Sequence, residues 1–186
     1  MKRFIVGYLT LMLTVVFIQS QTTDEIEKLT KKSIIQNERH LSYFDKCQRV
    51  NCFPNYFGGS YIDENGKLVV LITKDSVVKK QIIARIIKSN DFVIKPADYS
   101  IKEIYAVMDT VDAFISNKDI PDSHPILQYF SGAYINVIDN CVVMQLSKLT
   151  PELVYIFKKE VTNSPIVKFR KYEMPTSLLP QCSQLP

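Results

Sequence analysis

The chain has 186 residues, 46% of them hydrophobic, 23% charged, with a formal net charge of +4 and no tryptophan. That apolar share excludes a disordered acidic or basic tail, and the small positive balance argues against a nucleic-acid or anionic-membrane surface. Four cysteines in this length are too few for a disulfide-dense miniprotein.

Lys2 and Arg3 open the chain, and Phe4 to Ile18 is apolar apart from Gly7, Tyr8, Thr10 and Thr14. Fifteen helical residues rise about 22 Å, short of a hydrocarbon core of roughly 30 Å. A charged start, a short apolar run and a polar exit at Gln19–Gln21 predict a secretory signal peptide over residues 1–20, cleaved after Ser20. An uncleaved anchor is the rival. Cleavage takes the apolar run away together with Lys2 and Arg3, so the exported chain, periplasmic or secreted, would not insert in a membrane. In an oxidising compartment Cys47, Cys52, Cys141 and Cys182 are disulfide candidates. Cys47 and Cys52 would close a small loop and Cys141 and Cys182 would tie the tail to the core, though three pairings are open. Without paired C-x-x-C spacing, and with His40 and His124 the only histidines, no zinc site is expected.

Asp24 to about Cys47 predicts a helix with Ile26, Leu29, Ile34, Ile35, Leu41 and Phe44 on its inner side. Two β-rich runs, Tyr56–Ile62 and Lys67–Thr73, flank Asp63-Glu64-Asn65-Gly66, a hairpin signal. Asp75 or Ser76 would cap a helix reaching Lys88, with Val78, Ile82, Ile83, Ile86 and Ile87 buried, before a short strand at Phe92–Pro96. Ser100-Ile101-Lys102-Glu103 is a capping box for a helix to about Asn117. Lys118–Gln128, with Pro121 and Pro125, reads as a connecting loop.

Then the pattern repeats. Tyr56-Phe57-Gly58-Gly59-Ser60-Tyr61-Ile62 returns 73 positions later as Tyr129-Phe130-Ser131-Gly132-Ala133-Tyr134-Ile135, and Val69-Val70 as Val142-Val143. An offset of 75 then pairs Val78, Ile82 and Ile86 with Leu153, Phe157 and Val161, and Phe92 and Ile94 with Val167 and Phe169. Thr150-Pro151 offers a cap and a first-turn proline for the second helix copy. The fold expected is α+β: two related ββαβ units, about 56–95 and 129–170, each with a small antiparallel sheet, plus a linking helix and an N-terminal helix. One domain would span 21–171, and 172–186 would be an extended tail. The Gly58-Gly59 pair reads as a strand bulge, since no helix follows it to cradle a phosphate.

No hydrolase, metalloprotease, P-loop or dinucleotide motif occurs. Asp109 and Asp112 share a helix face but have no supporting histidine or arginine cluster, so a solvated patch is expected. Neither catalytic residues, cofactor nor metal is expected. Tyr56, Tyr61, Tyr129 and Tyr134 occupy matching positions; they would pack the sheets, with alternate ones free to face outward for recognition.

Phe57 to Thr73, a Gly-containing strand, acidic turn and apolar strand ending in Thr, resembles the pro-regions of bacterial secreted serine proteases of the α-lytic protease and streptogrisin type, with Tyr129–Leu146 as a second copy. The resemblance implies an α+β module that assists folding of a protease and inhibits it by laying a C-terminal tail in its active site. Only Lys171–Pro186 follows Arg170 here, so such a role is expected to act in trans, on another exported protein. Pro175, Pro180 and Pro186 would hold the tail extended, with Met174, Leu178, Leu179 and Leu185 as its partner-binding anchors. The alternatives are an envelope-associated structural protein pairing through a sheet edge, and an enzyme of unrecognised type.

Overall fold

The structure is a computed structural model that describes residues 23–43, 53–73 and 76–173, with the backbone alone for 76–79. It divides between Asp98 and Tyr99 into two compact units. The first holds helix α1 (23–43), strands β1 (Phe57–Ile62) and β2 (Leu68–Ile72), helix α2 (Ser76–Ile87) and strand β3 (Val93–Pro96). The second holds α3 (Ile101–Ile115), a short α4 (Pro125–Tyr129), β4 (Phe130–Asn136), β5 (Cys141–Leu146), α5 (Pro151–Glu160) and β6 (Val167–Lys171).

The two units share one plan, and the fold class is α+β. β1 and β2 form an antiparallel hairpin, α2 crosses over, and β3 returns parallel to β2; β4, β5, α5 and β6 do the same. The sheets are therefore mixed rather than antiparallel as expected. A strand reached through a helical crossover comes back in the direction of the strand it left, whereas a tight turn reverses it.

Both hairpins carry the bulge that the glycines foretell. Register slips between Phe57 and Gly59 and again between Phe130 and Gly132. Gly59 sits at φ 116°, where a β-carbon is poorly tolerated. Tyr61 faces Val69 and Tyr134 faces Val143, so the tyrosines are equivalent, but the valines paired by the constant offset are not. Val70 corresponds to Met144, because the second hairpin turn is one residue longer. Asp63 and Lys67 close the first turn by hydrogen bonding, whereas Asn136 pairs with Cys141 across the second.

The offset then stays at 74 through the crossover helix. Ile83, 74 positions before Phe157, is fully buried in α2 as Phe157 is in α5, while Ile82, the expected match for Phe157, is 40% exposed. The last strands regain the offset of 75: Ala97 N–H donates to Ile72 and Tyr172 N–H to Leu146, closing each ladder alike. Phe92 and Ile94 thus keep their expected matches.

In the second unit one apolar cluster joins Val111 of α3, Ile126 of α4, Met144 and Leu146 of β5, and Leu153 and Phe157 of α5, with Phe130, Ala133, Val167 and Phe169 packed against it. All three helices therefore lie on one side of that sheet. Ser100 caps α3 in a complete capping box with Glu103, and Thr150 caps α5 ahead of Pro151, both as the sequence indicates. The stretch read as a loop contains α4, which His124 caps and Pro125 opens.

The first helix of each unit leans on the hairpin turn beside it. In the first unit Ser33 Oγ donates to Gly66 O at 2.7 Å, and Ser60 Oγ donates to Asn37 Oδ1 at 2.6 Å. In the second, Asn140 of the turn accepts from Tyr99 N–H and donates to Tyr99 O. Helices 23–43 and Ile101–Ile115, expected as an N-terminal appendage and a linker, are thus the opening elements of two α-ββαβ repeats. No helix among the described residues is long and apolar enough to cross a membrane. The expected signal peptide lies outside the described residues.

Candidate partner-binding surfaces

α1 buries a polar face. Ser33, Gln36 and His40 are 4%, 3% and 0% exposed, while Ile26, Ile34 and Ile35, predicted to point inward, are 41%, 43% and 49% exposed. Leu29 and Leu41 are half-buried, and Phe44 lies outside the described residues. Positions 29, 33, 36, 37, 40 and 41 form one stripe at helical spacing, so the face is real and only its composition is unusual. The sheet presents the Gly66 carbonyl and the Ser60 hydroxyl at this contact, and hydroxyl and amide side chains satisfy them where isoleucines would not.

Within that seam the His40 ring meets Phe57 edge-on, with centroids 5.1 Å apart. Burial lowers its pKa to about 4, so the ring is neutral near pH 7. The Gln36 amide is a different case: neither its nitrogen nor its oxygen has a hydrogen-bond partner among the described residues. An unpaired buried polar group costs about 1–3 kcal/mol.

Gln36 also lines a groove of about 400 Å³ with Lys32, Ile35, Arg39, Lys88 and Ser89. A second hollow of about 230 Å³, between Arg39, Ser42, Tyr43, Ile86 and Lys88, shares two of those residues. α1 and the C-terminal end of α2 form the walls. Lys32 Nζ is 2.7 Å from Asp91 Oδ2, a hydrogen bond that holds the Asp91 carboxyl below its usual range. Arg39 and Lys88 have no ion-pair partner among the described residues.

Lys88 stands in an uncommon conformation. Ser89 N–H donates to Ala84 O, a six-residue closure that puts Lys88 at the left-handed position after the helix, with φ 56°. Glycine is usual there, and a residue with a β-carbon costs about 1 kcal/mol more.

The remaining sequence candidates separate into structural and outward-facing groups. His124 is tied down: Nδ1 accepts from Ile126 N–H, Nε2 is 3.0 Å from Glu160 Oε2, and the ring packs edge-on against Phe114. It joins α3, α4 and α5 and serves as a cap. Asp109 and Asp112 are exposed, as a solvated patch would be. Tyr61 and Tyr134 point away from the helices, since their neighbours Ser60 and Ala133 face them. Lys95 Nζ donates to Tyr61 Oη, and the equivalent Arg170 reaches Asp139. Tyr56 and Tyr129 are half-buried ahead of the bulges, Tyr129 beneath Lys148. Cys141 is buried and, among the described residues, has no disulfide partner; desolvation raises its thiol pKa. Cys47, Cys52 and Cys182, and the anchors Met174, Leu178, Leu179 and Leu185, lie outside the described residues. Among the described residues no group of three or more His, Cys, Asp or Glu side chains converges to hold a metal ion.

Sequence reasoning passed over the groove because Gln36, Arg39 and Lys88 belong to no motif. The one available signal was Lys88 itself, which ends an apolar helix where Gly or Asn is expected.

The fold defines a two-unit α+β module with an outward tyrosine on each sheet and a basic groove on its first unit. Family models agree with that division. Residues 17–97 match the one described as the Pro-like N-terminal domain, and residues 102–172 match the Pro-like C-terminal domain. The junction between the matches, 98–101, includes the boundary between the two compact units. The two matches, one on each repeat, are consistent with a pro-region-like resemblance. No curated protein matches the chain.

Proposed function

We propose that this chain is exported and acts as a non-catalytic protein-binding module, a trans-acting inhibitor or folding partner of a secreted protease. The observation that carries the proposal is the succession of a Pro-like N-terminal and a Pro-like C-terminal domain in one chain. Domains of pro-region type are generally not catalysts; they work by holding another polypeptide. The fold favours such work: short sheets leave outer strands able to take up a further strand, and Tyr61 and Tyr134 supply aromatic contact on the face away from the helices.

The tail fits the same reading. Tyr172 N–H donates to Leu146 O beside the last β6 pair, and Met174, Leu178, Leu179 and Leu185, the proposed anchors, follow it in the sequence. Tyr172 belongs to the fold rather than to the tail.

The test is functional. The purified full chain is used to capture partners from the exported fraction of its source cell. Any stoichiometric hydrolase is then assayed with and without the chain, both for activity and for refolding yield from denaturant. The proposal expects one hydrolase whose activity falls, or whose refolding yield rises, at equimolar chain. Catalysis by the isolated chain, abolished by a single substitution, would overturn it.

A further inference from the structure

The groove of the first unit has a chemistry that the reading as a binding module does not by itself explain. It combines two cations without ion-pair partners, a buried amide without a hydrogen bond, both among the described residues, and isoleucines on both walls. We propose that the groove between α1 and the C-terminal end of α2 binds an acidic, extended segment of the partner protein.

Each component takes one part of such a segment. Arg39 and Lys88 receive a carboxylate, the guanidinium able to bind both its oxygens and the ammonium acting as a point charge. Gln36 carries a donor and an acceptor, the complement of a peptide group, and pairing it would remove the cost of its burial. Ile35, nearly half exposed, and Ile86 accept the apolar residues beside the acid. Asp91 is already committed to Lys32, so it neutralises one cation and leaves the other two.

Lys88 supplies a second argument. Glycine at its left-handed position would relieve backbone strain, and lysine is what stands there, beside the groove. A strained residue with a charged head at a binding wall points to a role for the head. A lysine that merely complements the helix dipole could serve equally well one turn earlier, where Arg85 already stands.

The inference rests on the proposed binding role, and its test separates the two. The probes are a fluorescein-labelled, amidated hexapeptide of alternating leucine and glutamate and its counterpart with glutamine for each glutamate. Both are titrated into the full-length protein at low salt. The glutamate peptide is expected to bind about tenfold more tightly, the scale of one charge-assisted contact. Arg39→Gln and Lys88→Gly should each erase most of that difference. Lys88→Gly should do so without lowering the melting temperature, because it relaxes the backbone while removing the charge. The Gln36 side-chain amide resonances should shift on saturation with the glutamate peptide. Equal affinity for the two peptides, undiminished binding by Lys88→Gly, or displacement of the peptide by equimolar inorganic phosphate would overturn the proposal, the last by showing an anion site only. A captured partner protein that the Arg39→Gln/Lys88→Gly variant binds as tightly as the original would overturn the groove alone and leave the binding role standing.

Discussion

His40 is the residue whose environment departs furthest from what its type suggests. Folding buries the ring and lowers its pKa from 6.5 to about 4, so the unfolded chain binds the proton more readily than the folded one. The stability this group contributes is complete above pH 6.5 and is lost as pH falls from there toward 4, up to about 3 kcal/mol. Urea unfolding between pH 7 and pH 4 should show that decline. His40→Gln should flatten it, at the cost of lower stability at pH 7, and a variant with an unchanged slope would contradict the assignment.

The two turn residues make a matched pair at the same scale. Gly66 lies at φ 74°, and an added β-carbon would stand 2.6 Å from Thr30 Oγ1 and 2.8 Å from Ile26 O. Gly66→Ala should therefore destabilise the first unit by about 2 kcal/mol or more, from backbone strain and from α1 being pushed off the turn. Asn140, at φ 49°, fills the same role by clasping Tyr99 with its side chain. Asn140→Ala should cost a comparable amount, about 2 kcal/mol. An unchanged denaturation midpoint in either variant would show that the turn does not hold its helix.

Among the elements, those announced by local chemistry were legible. Ser100 with Glu103, Thr150 with Pro151, and the glycines of the two bulges each act through their immediate neighbours, so the sequence specifies them directly. α1 was legible as a helix but not in its orientation. Periodicity counts isoleucines, and here the partner surface carries a carbonyl and a hydroxyl, so the polar stripe turns inward. The repeat was legible too, yet its register in β5 was not: an added turn residue moves every later match by one, and alternating valines hide the slip. The direction of β3 and β6 depends on the crossover, which strand periodicity does not encode. Truncation after Glu173 keeps the Tyr172 bond to Leu146, so the melting temperature should hold within a few degrees while affinity for a captured partner falls. A large drop in melting temperature would make the segment a structural strap.

At the scale of the molecule, the two units are variations on a single plan, and the first departs from it where binding chemistry is proposed. The first opens with a helix whose polar face grips the turn and whose flank forms the basic groove; the second opens with an apolar helix embedded in a compact cluster. Function was legible only as a resemblance, because a binding surface has no short motif: its residues are gathered by helix packing, not by spacing along the chain. Arg39 and Lys88 lie 49 positions apart and meet only across α1 and α2. The measurement that tests the central claim most directly is the refolding yield of the captured hydrolase from denaturant at equimolar chain, read beside its activity in the same mixture. The account predicts that yield rises or activity falls saturably near one-to-one stoichiometry. A hydrolase indifferent to the chain at tenfold excess, in both assays, would contradict it.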